Sequence, residues 1–151
     1  MKIYFETILN TRKAIVALIS DLSEAQLNEI PKNFNNNIAW NLGHVMVSQE
    51  LLCYHLSGLK CNIKYDVIDK FKKGSKPTEE ISMNEITSMK ALLIDLAYKL
   101  EADYNKGIFI NYNNYKTSLD VELKSIEDAI AFNLFHEGIH LGAIMQMVKL
   151  V

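Results

Sequence analysis

His136 and His140 stand four residues apart in the run Phe135-His136-Glu137-Gly138-Ile139-His140-Leu141-Gly142. On a helix that spacing stacks two side chains on one face, so two imidazoles can reach one metal ion. A third histidine, His44, lies far upstream in another apolar, helix-like stretch, Ile38-Ala39-Trp40-Asn41-Leu42-Gly43-His44-Val45. The chain has only four histidines. One isolated histidine is best read as a core or surface residue. Three on two apolar helices, two of them at ligand spacing, favour metal binding instead. Three neutral imidazoles leave at least one coordination position open, the pattern of a catalytic site rather than a closed structural one. Imidazole suits zinc, nickel, iron and copper alike, so spacing does not select the metal. His55 is eleven residues beyond His44, or about 16 Å along a helix. It can share that face but not the same ion.

The run from His136 to His140 also matches H-E-x-x-H, the metalloprotease helix motif in which the glutamate is general base. Chain geometry argues against it. Such enzymes take a third ligand from downstream, and the eleven residues after His140 hold no His, Asp or Glu. Glu137 also points about 100° around the helix from His136, which suits a carboxylate on the helix surface or behind a ligand. No serine-hydrolase elbow, phosphate-binding loop or dinucleotide fingerprint occurs. Gly138 and Gly142 suggest the close approach of a neighbouring helix, at a propensity cost of about 1 kcal/mol each relative to alanine.

The elements that must position these residues follow from periodicity. Phe5, Ile8, Leu9, Ile15, Leu18, Ile19 and Leu22 predict a first helix over Tyr4–Leu22. Ser23–Asn37, rich in asparagine and holding Pro31, reads as a loop whose last asparagine caps the next helix. That second helix spans Ile38–Ser57, with Gly58 at the C-cap. A long connection follows, with a short helix over Tyr65–Lys73. Ser82-Met83-Asn84-Glu85 is a capping box opening the third helix, which Gly107 ends. Ile108–Lys124, with alternating pieces such as Ile108-Phe109-Ile110, reads as a structured crossover, with a short hairpin somewhere in it as the alternative. The fourth helix runs from Ser125 to about Lys149. The expected fold is therefore all-α, a four-helix bundle with long connections.

The 151 residues suit one domain over 1–151. A composition 49% hydrophobic and 23% charged is that of an ordinary soluble protein. A net charge of −2 gives no reason to expect nucleic acid or an anionic membrane as partner. Lys70, Lys72, Lys73 and Lys76 form a basic run, but flanking acids make it a solvated loop or helix end. No apolar run reaches the roughly 18 residues of a membrane span, and Met1–Glu6 lacks a signal-peptide pattern. A cytoplasmic location is expected, and the two cysteines fit a reducing compartment. Cys53 reads as a small core residue and Cys61 as a free thiol in a loop.

The stretches Ile38–Val45, Asp128–Phe132 and Phe135–Gly142 resemble the second-helix and last-helix signatures of the DinB-like superfamily. Phe71-Lys72-Lys73-Gly74-Ser75-Lys76-Pro77 resembles a loop of the same family. The resemblance covers nearly the whole chain. It implies a four-helix bundle holding a divalent metal, zinc or nickel, on His44, His136 and His140. Relatives include metal-dependent transferases that join low-molecular-weight thiols to electrophiles, and many form homodimers. Met145, Met147 and Val148 make the last helix apolar on more than one side, as such pairing requires. Relatives often carry glutamine after the glycine that follows the last ligand. This chain has Ala143 there, with Gln146 one turn further on. The first functional reading is thus a thiol S-transferase. The alternatives are a metal-dependent hydrolase and a non-catalytic, metal-holding stress-response protein.

Overall fold

The computed structural model describes the whole chain, Met1–Val151. Six helices and one hairpin follow in the order α1 (Lys2–Leu18), α2 (Glu24–Asn28), α3 (Ile38–Gln49), α4 (Tyr65–Phe71), α5 (Met83–Asn105), β1 (Tyr115–Lys116), β2 (Glu122–Leu123) and α6 (Ile126–Met147). A π-helical turn, Glu50–His55, extends α3. The fold is all-α, as expected, with a bundle of four long helices. α1 packs against α5 and α6, and α3 packs against the same two. Two of the three successive pairs of long helices therefore sit on diagonals: α1 opposite α3, and α5 opposite α6. A tight turn cannot span a diagonal, which accounts for the long connections after α1 and α5. No helix is long and apolar enough to cross a membrane.

Local chemistry sets most boundaries. The Asn37 side chain accepts from the Trp40 N–H and caps α3. Ser82 and Glu85 form the expected capping box at α5. Ser125 caps α6 by accepting from Asp128 N–H at 3.1 Å. Gly58 and Gly107 take φ of +72° and +69° just beyond helix ends, where a side chain would be strained.

Four expectations need correction. α1 stops at Leu18 rather than Leu22, because Ile19 leaves helical geometry. The predicted loop Ser23–Asn37 contains α2, started by a capping box of Ser23 and Gln26. The second helix is not α-helical to Ser57. Its last turn is widened, with Leu56 N–H reaching back five residues to the Leu51 carbonyl. The crossover holds the short hairpin that was the alternative for it, at Tyr115–Leu123.

The apolar core divides in two. One part gathers Ile15, Ile19, Leu42, Met46, Leu93 and Ile144. The other gathers Phe5, Ile8, Tyr54, Leu100, Ala129 and Ile130. Between them lies a polar layer centred on Arg12, which has no solvent exposure. Its Nε and Nη2 donate to the two carboxylate oxygens of Glu137 on α6, at 3.1 and 2.6 Å. Nη2 also donates to Gln49 Oε1 on α3 at 2.8 Å, and Nη1 to the Leu93 carbonyl on α5 at 2.8 Å. One guanidinium from α1 thereby joins all four long helices.

A buried ion pair broken on one side leaves an uncompensated charge, which costs about 3–5 kcal/mol. Arg12→Ala should lower the unfolding free energy in urea by about that amount. The double variant Arg12→Met/Glu137→Leu should lose less than Arg12→Ala alone, because neither charge is then stranded. A loss of about 1 kcal/mol or less, the value of an exposed pair, contradicts this role for Arg12.

Candidate metal centre

Because α3 and α6 are neighbours, His44 meets His136 and His140. Each offers a ring nitrogen, and these nitrogens all lie within 4.8 Å of one another. The ring centroids are 5.2 Å apart for His44 and His136, 4.9 Å for His44 and His140, and 4.5 Å for His136 and His140. Trp40 stacks on the His44 ring at 4.5 Å and 12°. The three residues singled out by spacing are thus brought together.

Hydrogen bonds define which nitrogen each ring presents. His44 Nδ1 lies 2.6 Å from the Phe71 carbonyl. A carbonyl only accepts, so Nδ1 carries the proton and Nε2 keeps its lone pair. Gly43 makes this contact possible, since a methyl there would overlap the Phe71 ring. His140 Nδ1 lies 2.7 Å from Asn41 Oδ1. Asn41 Nδ2 donates to Asn36 Oδ1 and the Asn37 carbonyl, which fixes its amide orientation. The oxygen therefore faces His140, Nδ1 donates to it, and Nε2 is again free.

His136 completes the set. Its Nε2 lies 3.1 Å from His140 Nε2. Two lone pairs cannot face each other at that distance without a proton or a cation between them. A cation accepted by both would require the His136 proton to sit on Nδ1. That nitrogen is buried and has no partner, and the one other buried side-chain atom without a partner is Asn133 Oδ1, an acceptor three residues earlier on α6. The donor set fits a divalent ion held by three imidazoles.

Burial also holds the rings neutral. It lowers the His44 pKa below its ordinary value, with the bond to Phe71 acting in the opposite sense. Burial, reinforced by His44, lowers His136 to about 4. Burial, reinforced by His136 and His44, lowers His140 to about 3. Neutral imidazole is the form that coordinates.

Glu137 is not on the helix surface. It has no solvent exposure, and besides Arg12 it accepts from Asn133 Nδ2 at 2.7 Å. Both its oxygens are engaged, so it is not free to act as a base. Gly138 and Gly142 do not admit a neighbouring helix; a Cβ at either would meet nothing, and Gly43 is the position of close approach. Gln146 is exposed, and the acceptor for His140 Nδ1 is Asn41 Oδ1. His55 stays out of the cluster, as expected, but lines the same cavity as the three histidines. That cavity holds about 610 Å³, with Leu51, Leu52, Phe132 and Ile139 on its walls and Leu119 of the hairpin tip beside them.

Sequence reasoning missed Arg12, Asn133 and the Gly43–Phe71 contact. For Arg12 a signal was present. It is the sole arginine in a lysine-rich chain, and it interrupts the apolar stripe of Ile8, Ile15 and Ile19.

The sequence profile of the DinB superfamily matches residues 7–144, which include Arg12 and all three clustered histidines. No curated protein matches the chain.

Two outcomes are expected. Alanine at His44, His136 or His140 should remove most divalent-metal binding in metal analysis of purified protein, whereas His55→Ala should not. The metal-free protein should also lose stability in acid. An unfolded histidine titrates near 6.5, and the folded values are lower, so the unfolded state binds more protons. The contribution is complete above about pH 6.5 and falls as pH drops toward about 4 and about 3 for His136 and His140. Urea unfolding across pH checks this, and His140→Ala should flatten the profile.

Proposed function

The chain belongs to the DinB superfamily, and on that footing we propose that it is a metal-dependent transferase joining a low-molecular-weight thiol to an electrophile. The observation that carries this reading is the convergence of three imidazoles, one buried and two half-buried, on the wall of a cavity. Its volume, about 610 Å³, lies in the range of small-molecule sites. His44, His136 and His140 would hold the ion, and zinc or nickel suits such a donor set. When bound, it supplies the Lewis acidity that keeps a thiol anionic at neutral pH.

The chain's own residues do the rest. The Phe71 carbonyl and Asn41 orient two of the rings. Leu51, Leu52, Phe132 and Ile139 give the cavity water-excluding walls. Neither cysteine competes as nucleophile. Cys53 is buried, and burial pushes its thiol far above the ordinary range. Burial also raises Cys61, whose Sγ donates to the Glu50 carbonyl at 3.6 Å. The reacting thiol therefore comes with the substrate. Hydrolysis is the weaker reading, because the carboxylate nearest the cluster in sequence, Glu137, is fully engaged.

A screen of cellular thiols against a generic electrophile should give conjugate that disappears with chelator and returns with zinc or nickel. Turnover of the electrophile without thiol supports hydrolysis instead. Tight metal binding with neither activity supports a non-catalytic metal-holding protein.

We also propose that the protein acts as a homodimer through the outer face of α6. Phe135 and Met145 are 54 and 45% exposed there, and Gly138 and Gly142 lie bare between them. Met147, by contrast, is a core residue. Sedimentation should show a dimer that Phe135→Glu dissociates, and monomer alone at high micromolar concentration contradicts the pairing.

A further inference from the structure

The basic run on the connection after α4 does not act as one patch. Lys70 pairs with Glu79 at 2.8 Å, and Lys72 with Asp69 at 2.7 Å. Lys73 has no carboxylate partner, and it lines the cavity of the three histidines. No aspartate or glutamate lines that cavity, so Lys73 is its one fixed cation. Six of the other lining residues are leucine, phenylalanine or isoleucine, and the rest are the four histidines, two serines, Thr117 and Tyr115.

The backbone that carries Lys73 is held in place. Phe71 fills the space over Gly43 and accepts from His44. Ser75 Oγ accepts from Trp40 Nε1 at 3.1 Å and donates to the Lys70 carbonyl at 2.8 Å. Gly74 turns the chain at φ +89°, a conformation that disfavours any side chain. The same segment thus supports a ring of the histidine cluster and presents an unpaired ammonium to the cavity.

Resting on the transferase reading, we propose that the cavity takes an apolar-bodied molecule bearing one anionic group, and that Lys73 pairs with that group. An apolar body fits the walls by area burial. An anion gains an unpaired ammonium and meets no opposing carboxylate. Lys73 is solvent-exposed, so its preference for an anion is modest, about fivefold in affinity.

The test uses the zinc-loaded protein and four chain-matched ligand series of increasing length: ω-mercaptocarboxylates, ω-mercaptoalcohols, plain carboxylates and plain alcohols. Binding is followed by calorimetry at low and high salt. The carboxylate should bind about fivefold tighter than the matching alcohol at low salt, and the preference should shrink at high salt. Lys73→Ala should abolish it, and Lys73→Glu should reverse it. A preference in both pairs of series means that the anchor acts on any anion in the cavity. A preference among thiols alone means that it acts on the thiol substrate. Equal binding of carboxylate and alcohol in both pairs, or a preference that survives Lys73→Ala, overturns the proposal. Failure of the transferase reading looks different: thiols then bind no tighter than their thiol-free counterparts, whatever the carboxylate does.

Discussion

The guanidinium of Arg12 at the bundle axis is the interaction on which the other elements depend. A buried cation needs its donors satisfied and its charge matched, and here the partners come from the three other long helices. Glu137 supplies the charge, and its inward position sets the rotation of α6. His136 precedes it by one residue and His140 follows by three. At about 100° per residue, both fall to the same side of Glu137, and that side faces His44 on α3. The ion pair between the two apolar cores thus determines where two of the three imidazoles point.

The third imidazole and the ring orientations depend on close approach. Gly43 lets the Phe71 ring reach the α3 backbone, and the adjoining carbonyl then fixes His44. Asn41, one turn before His44, turns its oxygen to His140 because its amide nitrogen is already committed to the loop before α3. These contacts leave Nε2 of both rings toward the cluster, and burial keeps the rings unprotonated. The cluster is therefore organised for a cation by acceptors on the far side of two of its rings.

Much of this was legible in the residues. The four-residue histidine spacing survives folding because α6 is regular around it, and the caps at Asn37, Ser82 and Ser125 are local chemistry that tertiary packing leaves intact. What escaped has a common cause. The π-turn at Glu50–His55 begins at a buried carboxylate that accepts from the Asn62 amide, a contact between segments that no helical period encodes. α2 is too short to show a period, though its capping box was there to read. Gly138 and Gly142 looked like a helix contact because spacing alone cannot tell a packed face from an open one. Arg12 was visible as an anomaly, but its partners lie 37 to 125 residues away.

The Nε2 atoms of His44, His136 and His140 could together hold one divalent ion and leave it open to the cavity. A crystal structure of the zinc-loaded protein, with the ion located by anomalous scattering, tests it most directly. The expected result is one zinc bonded to those three Nε2 atoms at about 2.0–2.1 Å, with the Phe71 and Asn41 contacts retained and the remaining position facing Leu51 and Phe132. Ligation through Nδ1, a fourth protein ligand closing the site, or zinc bound elsewhere in the chain would contradict it.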